Sequence, residues 1–123
     1  MAVSNQLIGA AIAQSRELLL LLDPKILSFV YSNSAAETAL GYADGEICAL
    51  SPHDLFPEFS EPELTAILDN LSSTAHQHLA MNTVLVSKLA GMRDYSLQLQ
   101  SVEIDKQDMI LISGHDVTER MAE

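Results

Sequence analysis

Apolar residues recur along this chain with two different periods, and the change from one to the other lays out its elements. Val3, Leu7, Ile8, Ala11 and Ile12 fall at helical spacing behind Ser4, a residue suited to an N-cap, so residues 1–15 are predicted to form an amphipathic helix. Its apolar face needs a partner. Leu18–Leu22 is an unbroken apolar run stopped by Asp23-Pro24, the pattern of a strand covered on both faces and placed centrally in a sheet. Ile26–Ser32 is a second β-rich run after the turn Asp23-Pro24-Lys25, so the two strands should form a hairpin. Asn33 and Ser34 then supply a helix start. Ser34 and Glu37 have capping-box spacing, and the helix Ala35–Leu40 is closed by Gly41.

A capped turn is expected around Ala43–Leu50, and a short helical segment from Ser51 through Phe56. After Pro57, Ser60 and Glu63 repeat the capping-box spacing with Pro62 in the first turn, and Leu64, Ile67, Leu68 and Leu71 share one face of the longest internal helix. From His78 the period switches to two. Leu79, Met81, Thr83 and Leu85 alternate with Ala80, Asn82, Val84 and Val86, and Tyr95, Leu97 and Leu99 alternate with Ser96, Gln98 and Gln100. A loop containing Gly91 joins these two strands, and a turn at Asp105–Asp108 leads to a last strand, Met109–Ser113. The order predicts an α+β domain. Five strands should form one antiparallel sheet with helices on one face, leaving the other face to the opening helix or to a second subunit.

With 123 residues the chain fits one domain able to bury a core without metal or disulfide staples, and 48% apolar against 19% charged residues is the balance of a folded protein. The net charge is −11, and no Lys or Arg stands between Lys25 and Lys88. Such a surface repels phosphate, which argues against nucleic acid and anionic membranes as partners. Cys48 is alone and reads as a small semi-buried apolar residue. The leucine run is too short to span a bilayer and no secretory signal is evident, so a cytoplasmic location is expected.

Specific residues carry a family resemblance. Phe29-Val30-Tyr31-Ser32-Asn33-Ser34-Ala35-Ala36-Glu37, Leu40-Gly41-Tyr42 and Gly45-Glu46-Ile47 resemble the strand-to-helix landmarks of PAS domains, and Asp116-Val117-Thr118-Glu119-Arg120 resembles the Asp-aliphatic-Thr signature closing bacterial sensory-box PAS sensors. The likeness runs from about Leu18 to Arg120. It implies a PAS-like five-stranded antiparallel sheet, with residues 1–15 as an N-terminal amphipathic flank, 16–116 as the core and 117–123 as the start of a signalling linker. The loop Lys88-Leu89-Ala90-Gly91-Met92-Arg93, counted between the fourth and fifth strands, only loosely resembles the family's charged turn. Because the chain stops at Glu123, in what should be a coupling helix, it is expected to be a piece of a longer sensor.

No nucleophile elbow, phosphate loop or metal-ligand spacing is present, so the chain is not expected to be an enzyme, and no metal site is assigned. His76 and His78 could share a strand face but lack a third ligand, His53 suits a helix-start turn, and His115 suits a surface. PAS-like domains can carry haem, flavin or metabolites. Covalent flavin is disfavoured because Cys48 stands in Ile47-Cys48-Ala49, outside the flavin photosensor pattern, and haem is disfavoured because Pro62–Leu71 contains no His. The candidate pocket consists of Phe29, Tyr31, Leu40, Ile47, Phe56, Leu68, Met81, Thr83, Leu97 and Ile110, with Thr83 and Tyr31 as polar handles; that the same residues simply fill the core is the favoured alternative.

The resulting expectation is a sensory and dimerisation module. Asp116, Thr118, Glu119 and Arg120 would pass its state to a C-terminal output domain of the same chain, a diguanylate cyclase (GGDEF) or histidine kinase. Leu7, Ile8, Ala11 and Ile12 would support a homodimer, and a small apolar ligand of unknown identity is an option. Two rival readings are a ligand-free interaction scaffold and an isomerase-like enzyme on a cone-shaped sheet, which would require a buried acid or histidine.

Overall fold

The computed structural model describes residues 17–73 and 78–121. The expected opening helix, with its dimerisation positions Leu7, Ile8, Ala11 and Ile12, lies outside them. The leucine run forms β1 (Leu18–Asp23), whose even-numbered leucines are buried in the main core while Leu21 is buried on the opposite face. β1 joins an apolar cluster on each face of the sheet and so has no need of alternation, which explains five consecutive leucines. Asp23 accepts the Lys25 N–H at 2.9 Å, an Asx-type turn.

β2 (Ser28–Ser32) starts two residues later than expected. Ile26 is 66% exposed and Leu27 takes a left-handed φ of 49°, so both belong to the turn that swings the chain back onto β1. Helix α1 (Ser34–Leu40) is capped by Asn33 and not by the expected Ser34–Glu37 box: Asn33 Oδ1 accepts the Ala36 N–H at 2.9 Å. Glu37 instead accepts hydrogen bonds from Ser32 Oγ and Gly45 N. Gly41 ends α1 with a φ of 78°, where a side chain would also overlap Leu89.

A 3-10 turn (Ile47–Ala49) and helix α2 (Pro52–Leu55) follow. Helix α3 (Glu61–Ser73) opens with the expected Ser60–Glu63 box, closed in both directions at 3.1 and 3.3 Å. The remaining chain is a meander of β3 (His78–Ser87), β4 (Gly91–Ile104) and β5 (Gln107–Asp116), ending in a short helix α4 (Thr118–Met121). The last two strands are longer than the alternation indicated. Asp105 and Lys106 both have positive φ, and Ile104 pairs with Gln107, so a two-residue turn lets pairing continue to the tip. The loop Lys88–Arg93 belongs between β3 and β4, which corrects its expected place between the fourth and fifth strands.

All five strands pair antiparallel in the order β2-β1-β5-β4-β3, with β5 in the middle. Helices cover one face. Leu20, Leu22, Phe29, Leu85, Tyr95, Leu97, Leu99, Ile110 and Ile112 pack there against Leu40, Ile47, Leu55, Phe56, Leu64, Leu68 and Leu71. Each fully buried leucine among them contributes roughly 1.5–3 kcal/mol of transfer free energy. The opposite face carries a second apolar cluster of Leu21 and Met109 with Leu19, Tyr31, Val102, Ile104 and Leu111. An apolar outer face agrees with the expectation that this side of the sheet needs cover.

Candidate functional site

Seven of the ten candidate pocket residues, Phe29, Leu40, Ile47, Phe56, Leu68, Leu97 and Ile110, lie in one contiguous buried cluster with at most 3% exposure. Met81 packs half-buried against it. The phenyl rings of Phe29 and Phe56 sit 6.1 Å apart, a tilted aromatic pair within the layer. These positions work as packing between sheet and helices.

Tyr31 is a correction: it lies in the outer-face cluster. In a regular strand, residues two apart share a face, so Phe29 and Tyr31 were expected together. The β1–β2 register jumps from Leu21↔Tyr31 to Leu22↔Phe29, leaving Val30 as the extra residue of a bulge. The extra residue sends Tyr31 to the other side. Thr83, the second polar handle, is buried, and its hydroxyl donates to Glu58 Oε1 at 2.8 Å. The same carboxylate oxygen accepts the Val84 N–H at 3.0 Å, pinning the segment before α3 to the sheet edge. Glu58 was missed because nothing local links it to a strand 25 residues on.

The second candidate set converges on one junction. As β5 leaves the sheet, Asp116 Oδ2 accepts from Arg93 Nε at 2.8 Å and Oδ1 accepts the Thr118 N–H at 2.8 Å. Thr118 Oγ1 accepts the Asp94 N–H at 2.9 Å, and the Val117 N–H donates to the Asp94 carbonyl at 2.8 Å. Val117 is buried beneath them. The exit helix is therefore keyed to the start of β4 through three hydrogen bonds, and the Thr118–Asp116 bond closes the turn within the exit itself. Glu119 is exposed beside this junction, with Arg93, Asp116 and Val117 lining the same shallow cleft, and Arg120 follows in α4.

Partial desolvation raises the Asp116 pKa, but hydrogen bonds from Thr118 and Arg93 outweigh it and hold the carboxyl below the ordinary aspartate range. The bond to Asp116 in turn raises the Arg93 pKa. Sequence reading found Asp116 and Thr118 but not Arg93 or Asp94. The signal was the turn: two residues at Asp105-Lys106 fix a register that pairs Tyr95 with Asp116 and brings Arg93 and Asp94 beside the exit.

Burial and the nearby Glu37 push the Cys48 thiol pKa up, the setting of an inert thiol. His53 Nδ1 lies 2.7 Å from the Phe59 carbonyl in the helix-start turn, while His78 and His115 are exposed. His76 lies outside the described residues. Among the described residues the buried polar side chains are Asn33, Thr83 and Ser87, so no carboxylate or histidine occupies the core. No helix among them is long and apolar enough to cross a membrane.

No family model matches the sequence, and no curated protein matches it. Solved structures match in fold. The PAS domain of an HTR-like protein from Haloarcula marismortui has a TM-score of 0.80 at 14% identity, over 91% of this chain and 90% of that one. A PAS domain from a two-component sensor histidine kinase gives 0.72 at 14% identity, over 90% and 94%. The PAS domain of nitrogen regulation protein NR(II) from Vibrio parahaemolyticus gives 0.68 at 19%, over 90% and 98%. The chain has the PAS fold.

Proposed function

We propose that this PAS-fold chain is a cytoplasmic sensory and dimerisation module without catalytic chemistry, regulating a C-terminal output domain of the same polypeptide in bacterial signal transduction. A diguanylate cyclase or a histidine kinase is the output that best suits such a module. The observation that carries the reading is the junction at Asp116. β5 is the middle strand, and its exit is keyed by Arg93, Asp94 and Thr118 to the neighbouring strand, so a shift between β4 and β5 reaches α4 directly. The apolar cluster on the outer sheet face supports the dimerisation part, with Leu7, Ile8, Ala11 and Ile12 as its expected partners.

The test is a fusion of the chain, through Glu123, to a diguanylate cyclase domain. Asp116→Ala and Thr118→Ala should each change cyclase output several-fold while the chain stays folded; output indifferent to both would sink the reading. Removing residues 1–15 should weaken dimerisation, and an unchanged sedimentation profile would overturn that part.

The ligand-free scaffold is the second reading, and the packing of seven candidate pocket residues as core favours it. Native mass spectrometry of the purified chain discriminates: a retained small molecule supports ligand sensing, and consistently ligand-free protein supports the scaffold.

A further inference from the structure

The free edge of β3 divides into two halves. Near its end the edge is occupied: Glu58 takes the Val84 N–H, and the Tyr42 hydroxyl donates to the Val86 carbonyl at 3.0 Å. Both residues are even-numbered, so their backbone groups face away from β4. Backbone direction alternates along a strand. The N–H and C=O groups of His78, Ala80 and Asn82 therefore also point outward, from a strand that ends the sheet. All three residues are exposed, and among the described residues no element pairs with them.

Natural edges are usually blunted by Lys, Pro or a bulge. His78–Asn82 contains neither residue, and its register with β4 runs unbroken. Charge marks the same place. Asn70–Ser87 is the longest stretch without Asp, Glu, Lys or Arg in a chain of net charge −11. Pairing at this place sets no like charges against each other. The edge also borders a groove of about 360 Å³ between α3 and β3, lined by Ala66, Ile67, Asn70, Leu71, His78 and Leu79.

We infer that this half-edge pairs with its own copy, antiparallel, about a two-fold axis through Ala80. In that register Ala80 faces Ala80 of the second copy and His78 faces Asn82, all as hydrogen-bonded pairs, giving up to about six main-chain hydrogen bonds. Leu79 then lies opposite Met81 of the second copy on the inner face, extending the apolar layer of the groove. A self-complementary patch is what a two-fold interface demands. This contact is separate from the outer-face association and stands whether or not the signalling reading holds.

Cysteine cross-linking of the 123-residue chain in a Cys48→Ser background tests the register. Ala80→Cys places two α-carbons about 5.5 Å apart, within disulfide reach, whereas His78→Cys leaves its two copies roughly 14 Å apart. Mild oxidation should give a covalent dimer at least about tenfold faster from Ala80→Cys. Equal rates, or no dimer from Ala80→Cys, overturn the inference, including where the edge instead takes a foreign extended peptide. Sedimentation equilibrium of Ala80→Pro gives an independent reading, because this N–H is not bonded to β4 and proline is tolerated there. Association weakened roughly tenfold is expected; association equal to the parent's overturns the inference. Both cysteine positions are exposed, so folding is preserved in either variant.

Discussion

Two polar anchors tie strands to helices in this sheet, and they differ in how much water reaches them. Asn33, where β2 passes into α1, is fully buried: Oδ1 accepts from Leu19 N at 3.1 Å and Ala36 N at 2.9 Å, and Nδ2 donates to the Glu17 carbonyl at 2.8 Å. One amide thus joins β1 to the start of α1. Asp116 does similar geometric work at the exit of β5, but its side chain and that of Arg93 each remain 33% exposed. Removing Asn33 strands donors and an acceptor in a dry place. Removing Asp116 lets water take over. The first anchor should therefore contribute more to stability than the second.

The largest effect should come from breaking the buried anchor. Asn33→Ala leaves the Leu19 and Ala36 amides and the Glu17 carbonyl without this partner, a loss of about 3 kcal/mol. Thermal unfolding should show a fall of roughly 10 °C. A fall of under about 3 °C would mean that water reaches the site. Next is Gly114→Ala in the middle strand, where a β-carbon would overlap the Ser96 carbonyl oxygen and lie 3.2 Å from Leu97 Cα. Backbone cannot give way as a flexible side chain can, so a loss of about 2 kcal/mol is expected in denaturant unfolding.

Part of this comparison was legible before the structure. Asn33 stood out as a helix start, yet the cap was assigned to Ser34, because spacing alone cannot tell a capping box from a residue one position earlier that also reaches another strand. Strand identities followed from period-two alternation and the leucine run. Tyr31 was misplaced because a bulge leaves no mark in an alternation of apolar residues, and Arg93 was missed because its partner is 23 residues away. Short-range chemistry was readable. Pairings set by register were not, although the Asp105-Lys106 turn held the clue to one of them.

A middle-sized change sharpens the contrast. Thr83→Val removes a buried hydroxyl while its partner Glu58 stays exposed and can be hydrated, so only about 1 kcal/mol should be lost in chemical denaturation. A loss as large as that of Asn33→Ala would mean that the Glu58 contact organises the whole edge of the sheet.

The smallest effect on stability belongs to the exposed junction. Arg93→Ala should leave the melting temperature within about 2 °C of the parent, since water and salt screen such pairs. The local effect should be plain all the same. Asp116 has its pKa lowered in the folded chain, so its contribution is fully present above the ordinary aspartate value and is lost as pH falls through the folded one. From neutral pH down to about pH 4 the junction should stay closed, and it should open below that. The Thr118 amide, bonded to Asp116 Oδ1, reports this directly in an NMR titration. Its shift should move in acid while the Ala36 amide, held by Asn33, stays still. Asp116→Asn should abolish that movement. If the two amides moved together, the junction would be part of the cooperative core, and the separation between a buried anchor that holds and an exposed one that yields would fail.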